Sequence, residues 1–267
     1  MSGHLAGHPA AAPRAIPYAS AGGRTLHLHV SAPSAPNGSR VPTAVFYHGG
    51  GWVRGGTQFR PQAARLNAVG MLAVLVEYRT EGPVAATTDA LAAMNAVFER
   101  SGELGCDAGR IVAIGGSAGG HLALATAVLD LPDTNPAHRP AALVLLNPVT
   151  DTTGDFPIGF GRRHFADDDH ARRYSPMHHV SEKTPPALVM HGTADTAVHY
   201  HNSAEFVEKV NHRGGHAEIV LYADQRHGFF NPRGDVTAQP ADGHADYFDL
   251  TTREMVRFIR RTVIDKA

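Results

Sequence analysis

The chain has few cysteines, little net charge and no long apolar run, and each of these absences excludes a class of protein. It contains one cysteine, Cys106, in 267 residues, which excludes an internal disulfide and a cysteine-based metal cluster. Its formal net charge is −1 with scattered Lys and Arg, so we expect neither nucleic acid nor a membrane surface as a partner. No apolar run approaches the roughly 20 residues that span a bilayer. The fold must therefore be held by packing alone, and its length suits one α/β domain.

The N-terminal stretch from Met1 to Pro17 is rich in alanine, glycine, proline and histidine. It lacks the basic start and apolar core of a signal peptide, so we expect a cytoplasmic protein, with a tag or a trimmed leader left open. We predict a poorly ordered arm over residues 1–20 and a single domain over residues 21–267.

Segments typical of strands and of helices alternate along the rest of the chain. This alternation predicts a mostly parallel, twisted sheet with helices on both faces. We predict helices at 58–69, 85–104 and 118–129. The predicted strands are 25–30, which we expect at the sheet edge, 43–47, 71–77, 111–114, 141–146, 187–190 and 219–222.

A G-x-S-x-G motif follows one of these strands and continues into a helix. Gly115, Ser117 and Gly119 occupy its fixed positions. In this setting the serine lies on a tight strand-to-helix turn with its hydroxyl exposed, and the glycines allow the two backbones to approach each other. We predict that Ser117 is a nucleophile. The alternative is a glycine-rich connection with an incidental serine.

A second glycine-rich turn, His48-Gly49-Gly50-Gly51-Trp52, follows the strand at 43–47. Backbone N–H groups of Gly50 and Gly51, together with that of Ala118 after the nucleophile, can converge on an oxyanion. A phosphate-binding loop is the alternative. It is disfavoured because no Lys or G-K-[ST] follows the glycines.

Position along the chain selects the base and the acid from many candidates, because the sequence holds 18 histidines. His227 follows the strand at 219–222, and Asp195 follows the strand at 187–190 after a small-residue turn. Catalytic groups gather at the carboxyl ends of strands in such sheets. We predict Ser117, His227 and Asp195 as a catalytic triad, with Asp151 and Asp224 as competing acids in plausible loops.

The segment 151–180 interrupts the alternation of strands and helices. It is too long for a simple connection, mixes aromatic with charged residues, and leaves the sheet on the nucleophile's edge, so we predict a small lid. Its Asp167-Asp168-Asp169 run lacks the spacing and turn glycine of a calcium loop. We interpret that run as a solvated acidic stretch.

We predict that aromatic residues form the substrate pocket. The candidates are Trp52, Phe59, Phe160, Phe229 and Phe230, with ordinary core packing as the alternative. Several histidines occur in pairs, but no H-E-x-x-H motif is present, so we expect no metal and no organic cofactor.

The motifs together resemble the α/β-hydrolases, specifically esterases related to hormone-sensitive lipase and, within them, compact bacterial acetylesterases and feruloyl or acetyl-xylan esterases. The resemblance rests on the glycine turn at 48–52, the serine motif at 115–120, Asn147-Pro148, the segment 191–195 and the segment 227–230. It implies the α/β-hydrolase fold and the order Ser, Asp, His along the chain. One departure is Gly116, where the hormone-sensitive lipase pattern usually has an acidic residue.

These observations predict a serine carboxylesterase for short-chain, in particular acetyl, esters of small molecules, with a carbohydrate or phenolic alcohol portion possible. An arylformamidase would use the same triad on an amide. A third alternative is a member of the fold that binds small molecules without turnover. The presence of all three triad residues disfavours this alternative. The oligomeric state stays open.

Overall fold

The computed structural model describes residues 13–33, 40–56, 58–153, 162–232 and 246–266. Eight strands form one sheet. Six neighbouring strands pair with each other in parallel, and the two strands at one side of the sheet are joined by antiparallel pairings. The order across the sheet is β1-β2-β4-β3-β5-β6-β7-β8. The strands are β1 (Arg14–Ala21), β2 (Arg24–Ser31), β3 (Val41–Tyr47), β4 (Leu72–Val76), β5 (Cys106–Gly116), β6 (Ala142–Leu146), β7 (Ala187–Gly192) and β8 (Ala217–Tyr222).

Helices cover both faces of this sheet, which confirms the predicted α/β-hydrolase architecture. They are α1 (Arg60–Ala68), α2 (Pro83–Glu99), α3 (Ser101–Leu104), α4 (Ala118–Val128), α5 (Asp168–Arg173), α6 (Tyr200–His212) and α7 (Tyr247–Ile259). Shorter turns are the 3₁₀ segments Arg162–His164 and Pro176–His178 and the π-helical Arg260–Ile264. None of these helices is both long and apolar enough to cross a membrane.

The core consists of two buried clusters, one on each face of the sheet. Alternation along β3 shows the division, because Val45 and Tyr47 join one cluster and Ala44 and Phe46 join the other. Helices α2, α4 and α6 close the first cluster, and α1 and α7 close the second. The central strands are apolar on both faces, as a sheet covered on both sides requires.

The N-terminal prediction needs correction at residues 14–20. These residues lie in β1, which pairs antiparallel with β2, and the Ile16 side chain is buried in the core. Pairing with β2 and burial of the Ile16 side chain both oppose the entropy cost of ordering these residues. Residues 1–12 lie outside the described part of the chain.

Two further sequence predictions differ from the structure. The strand predicted at 25–30 is not an edge, because β2 lies between β1 and β4. The single helix predicted at 85–104 is interrupted at Arg100, which has φ −100° and ψ 17°, and a short second helix ends at the left-handed Gly105. The position of β2 in the sheet depends on strands distant in sequence, and the end of the helical segment depends on a nearby glycine.

Candidate active site

Ser117 lies on the turn between β5 and α4 with a backbone conformation that is rare for a residue with a side chain. Its φ is 57° and its ψ is −122°. Its N–H donates to the Leu146 carbonyl at 2.9 Å, and its own carbonyl accepts from the Val149 N–H at 3.1 Å. These two bonds to the chain around the end of β6 hold the turn in place.

Two glycines permit this turn because the backbones on either side approach closely. A Cβ at Gly115 would collide with the carbonyl of Gly119, and a Cβ at Gly119 would collide with the carbonyls of Tyr47 and His48. The packing explains why these motif positions hold glycine.

The three side chains predicted as a triad come together at the carboxyl edge of the sheet. His227 Nε2 lies 2.9 Å from Ser117 Oγ, and His227 Nδ1 lies 2.7 Å from Asp195 Oδ2. The serine is half-buried and the His227 side chain is 30% exposed, whereas the Asp195 side chain is fully buried. The hydroxyl is therefore accessible, and the carboxylate lies behind the imidazole.

The Asp195 carboxylate is held by more groups than His227. Its Oδ1 accepts from the N–H groups of Ala197 and Val198, both at 2.9 Å. Its Oδ2 also lies 3.2 Å from Nε2 of the buried His191, whose Nδ1 contacts Ser203 Oγ at 2.7 Å. Burial would raise the pKa of the Asp195 carboxyl, but these hydrogen bonds outweigh burial and hold that pKa well below its usual range.

The glycine turn after β3 contributes to the same cavity as Ser117. Gly50 and Gly51 have φ of 115° and 63°, and a Cβ at Gly50 would collide with the Arg54 carbonyl. The N–H of Gly49 donates to Gln58 Oε1 at 2.8 Å. The N–H groups of Gly50, Gly51 and Ala118, in contrast, find no acceptor among the described residues, so they are available to a ligand.

A cavity of about 550 Å³ opens at Ser117 and His227, and two of the five predicted aromatic residues, Trp52 and Phe230, line it. Phe59 does not line this cavity and is buried in the core, where it stacks on Phe230. Phe229 does not line this cavity and packs against Tyr222 and Tyr247 instead, because successive side chains at 229 and 230 point in different directions. Phe160 lies outside the described residues.

The competing acids have other partners in the structure. Asp151 Oδ1 accepts from Thr153 Oγ1 at 2.6 Å and Ser175 Oγ at 2.8 Å. Asp224 lies on the turn after β8 with φ 57°, and no contact with His227 is found among the described residues. These contacts leave Asp195 as the carboxylate that meets the imidazole.

The described parts of the segment 151–180 pack against the domain. Met177 N–H donates to the Thr150 carbonyl at 2.9 Å, and His121 Nε2 lies 2.7 Å from the Tyr174 carbonyl. No described residue of this segment lines the Ser117 cavity, so its role as a lid stays a prediction. Within the described ranges, no group of three or more His, Cys, Asp or Glu side chains is arranged to hold a metal ion.

Sequence reasoning gave no role to two residues that support the site. Asn147 Oδ1 accepts from the Gly228 N–H at 3.1 Å and so restrains the loop that carries His227. His191 contacts the Asp195 carboxylate from behind. Their place in the quoted motifs at 147–148 and 191–195 was the available signal, but only the folded chain reveals their contacts.

Comparison with known proteins agrees with this geometry. The model of a family described as alpha/beta hydrolase fold matches residues 44–231, which include the glycine turn, Ser117, Asp195 and His227. The chain belongs to the α/β-hydrolase family. Family membership accounts for the sheet order and for the position of the cavity at the carboxyl edge of the strands.

Several named relatives of the chain are esterases. Carboxylesterase NlhH of Mycobacterium tuberculosis is 43% identical over 94 residues, which are 33% of this chain and 30% of that protein. Esterase LipC of the same organism is 26% identical over 257 residues, 84% of this chain and 62% of that protein. The first relative is thus matched over less than a third of its own length.

Solved structures extend the similarity over nearly the whole chain. The thermophilic esterase Est2 of Thermogutta terrifontis, with propionate bound, superposes with a TM-score of 0.82 at 28% identity. The superposition covers 95% of this chain and 96% of that one. The fold of this α/β-hydrolase is therefore shared with an esterase over almost its full length.

Proposed function

We propose that the chain is a serine carboxylesterase that hydrolyses short-chain esters, acetyl esters among them. The observation that carries the proposal is the line of contacts from Ser117 Oγ to His227 Nε2 at 2.9 Å and from His227 Nδ1 to Asp195 Oδ2 at 2.7 Å. The esterase relatives support the same class of reaction.

In this mechanism, Asp195 accepts a hydrogen bond from the Nδ1–H of His227 and thereby fixes the tautomer with a free Nε2. Nε2 takes the Ser117 proton as the hydroxyl oxygen attacks the ester carbonyl. The resulting imidazolium is stabilised by Asp195, which stays ionised because its pKa is low. His227 then protonates the departing alcohol, and a water molecule repeats the two proton transfers to release the acid.

The negative charge that develops on the carbonyl oxygen is received by the N–H groups of Gly50, Gly51 and Ala118. Their lack of other acceptors among the described residues supports this role. Loss of one such donor typically raises the barrier by about 3–4 kcal/mol. No step of this reaction requires a metal or an organic cofactor.

The cavity and a solved esterase structure support a short acyl group. The cavity of about 550 Å³ is shared by the acyl and the alcohol portions, which favours a small acyl group. Est2 of T. terrifontis has been solved with propionate and with butyrate bound. A screen of p-nitrophenyl esters of increasing acyl length is expected to show the highest kcat/KM at two to four acyl carbons, about tenfold above the octanoate.

The alcohol portion of the substrate is proposed to be a carbohydrate or a phenol. A panel of acetylated xylo-oligosaccharide, aryl acetate and N-formylkynurenine tests this choice at equal enzyme concentration. Faster turnover of N-formylkynurenine than of either acetate would replace the esterase proposal with an arylformamidase.

Ser117→Ala is the decisive variant for the proposed nucleophile. We expect it to lose covalent labelling by a fluorophosphonate probe and to lower kcat by several orders of magnitude, about 10⁴-fold or more, because no other group can form the acyl-enzyme. Ser101→Ala, at the start of α3 and remote from the cavity, is the matched control and should label like the wild type. Hydrolysis by Ser117→Ala at the wild-type rate would end the proposal.

A further inference from the structure

The Ser117 cavity is one part of a longer groove along the glycine turn. It shares Gly50, Arg54 and Gln58 with an open cavity of about 330 Å³. That cavity in turn shares His48 and Gly55 with a third, of about 410 Å³, beside β2 and β4. The three cavities therefore adjoin one another along the glycine turn, in the direction from Ser117 towards β4.

Positive charge dominates this groove. Arg54 lines the first two cavities, and Arg24 and Arg60 line the third. The acid on the described lining is Glu77, whose Oε2 accepts from the His27 N–H at 3.3 Å and lies 3.2 Å from His27 Nδ1. Three arginines therefore line the groove, against one carboxylate that has its own partners.

Two of the three arginine side chains have no partner in the described part of the protein. Arg24 Nη2 donates to the Tyr78 carbonyl at 3.2 Å, whereas the guanidinium groups of Arg54 and Arg60 make no hydrogen bond or ion pair with another described residue. A guanidinium presents several N–H donors in a planar fork that matches carboxylate and phosphate. An anion can thus bind them without displacing an internal acid.

Arg54 is also placed close to the proposed chemistry by its backbone. Its N–H donates to the Gly50 carbonyl at 3.1 Å, in the same turn that supplies the N–H groups of Gly50 and Gly51. Among the described residues lining the Ser117 cavity, Arg54 is the one with a permanent charge. Arg54 therefore lies on the turn beside the Ser117 cavity and also lines the adjoining cavity.

We propose that the preferred substrates of this site are esters that carry an anionic group, a carboxylate or a phosphate, and that Arg54 binds this group. The inference rests on the proposed esterase function. Because the acyl portion of those substrates is short, the anionic group belongs to the alcohol portion. Arg54 is then a residue that determines specificity, and Arg60 and Arg24 extend the same preference to longer alcohols.

Matched pairs of acetate esters test the proposal. The first pair is 4-acetoxyphenylacetate and the corresponding primary amide, and the second is 2-(4-acetoxyphenyl)ethyl phosphate and the corresponding free alcohol. A methylene or ethylene spacer separates charge from the phenolic ester, so intrinsic reactivity differs little within a pair. The two pairs distinguish a carboxylate-binding from a phosphate-binding site.

We expect the wild type to have a kcat/KM about tenfold higher for the anionic member of at least one pair at low ionic strength. In Arg54→Gln this ratio should fall about fivefold or more, and Arg54→Lys should restore part of it. About 0.5 M NaCl should reduce the wild-type ratio, because salt screens exposed charges. Thermal melting of each variant checks that it is folded.

Arg253→Gln is the matched control for the loss of one positive charge. Arg253 is exposed on α7 and lines none of the three cavities, so this variant should keep the wild-type ratios. A wild type that hydrolyses both members of both pairs equally well, or ratios that survive in Arg54→Gln, would overturn the inference while leaving the esterase intact. A wild type that hydrolyses none of the esters and is not labelled by a fluorophosphonate would instead remove the proposed function, and this inference with it.

Discussion

At the scale of single residues, Gly119 shows how little room the site leaves for change. A methyl group there would meet the carbonyl oxygens of Tyr47 and His48, which are backbone atoms and cannot rotate away. We expect Gly119→Ala to lower the free energy of unfolding by about 3 kcal/mol or more. Urea unfolding followed by circular dichroism measures the change.

Gly102→Ala in α3 is the control for this substitution. The nearest atom to the added methyl group is the end of the flexible Arg40 side chain, at 3.4 Å. The free energy of unfolding should stay within about 1 kcal/mol of the wild type. Equal stability of the two variants would mean that α4 does not approach β3 as closely as described.

A second prediction at the scale of residues concerns the contribution of Asp195 to stability at low pH. Its carboxyl has a lower pKa in the folded protein, where hydrogen bonds outweigh burial, than in the unfolded chain, where the value is about 3.9. The unfolded state therefore binds more protons below about pH 5, and the contribution of Asp195 to stability is lost as the pH falls towards the folded pKa. Above that window the contribution is fully present.

Asp195→Asn removes this titration. Between about pH 5 and pH 2 the wild type should lose roughly 2 kcal/mol or more of unfolding free energy beyond what the variant loses. Unfolding by urea at a series of pH values measures both curves. Parallel curves would contradict a carboxylate held in its ionised form by His191 and His227.

The residues themselves differ in how far the sequence could predict them. Ser117 was identifiable because its motif is local and the turn geometry depends on neighbouring glycines. The partition of Phe229 and Phe230 between core and cavity depends on the direction of two adjacent side chains, which no pattern specifies. The contact of His191 with Asp195 depends on the turn after β7, so it too required the folded chain.

At the scale of elements, β1 is the strand that the sequence did not predict. Its residues resemble a proline- and alanine-rich tail, and Pro17 is tolerated because β1 lies at the edge of the sheet. One buried side chain, that of Ile16, anchors the strand against the core. A pattern with one strong apolar position is too short a signal to predict a strand.

Ile16→Ala tests whether β1 contributes to stability. We expect a loss of about 2–3 kcal/mol of unfolding free energy, from the buried methyl groups and the space they leave. Ser20→Ala on the same strand is the control, because Ser20 is exposed and should change stability by about 0.5 kcal/mol or less. Equal urea midpoints for the wild type and Ile16→Ala would show that residues 14–20 contribute little to the stability of the fold, as in the poorly ordered arm predicted from the sequence.

The central parallel strands were, by contrast, well predicted. Their apolar runs end in small or polar residues, and burial on both faces makes each run continuous rather than alternating. The helix predicted at 85–104 failed at its end, where Gly102 and Gly105 weaken helical propensity. Elements defined by their own composition were predicted, and those defined by a partner or by glycine placement were not.

At the scale of the whole molecule, the chain relies on two packed cores and no covalent crosslink. Its one cysteine, Cys106, is fully buried at the start of β5, and burial raises the pKa of its thiol. We expect the native protein to react with a thiol-specific disulfide reagent at least about a hundredfold more slowly than the urea-unfolded chain.

Absorbance of the released thiolate measures both of these rates. A reducing agent should leave the melting temperature unchanged, because the chain cannot form an internal disulfide. Rapid modification of Cys106 under native conditions would show that the start of β5 opens more readily than its burial implies.

Net charge illustrates the limit of whole-molecule reasoning from sequence. The formal charge of −1 argued against nucleic acid and anionic membranes, yet it is silent on where individual charges lie. Arg24, Arg54 and Arg60 are far apart in sequence or carried by different elements, and only the fold brings them to one groove. Substrate class therefore depends on the positions of individual charges, which amino-acid composition does not give.

The lone tryptophan gives the molecule an internal optical reporter. Trp52 is the one residue of its type in the chain, lies at the wall of the Ser117 cavity, and has its ring centroid 5.2 Å from that of His121. Fluorescence excited at about 295 nm, where tyrosine absorbs little, therefore originates from one side chain at the wall of the Ser117 cavity. Stopped-flow recording of that emission can follow substrate arrival and product departure in the unlabelled protein, including with esters that release no coloured product.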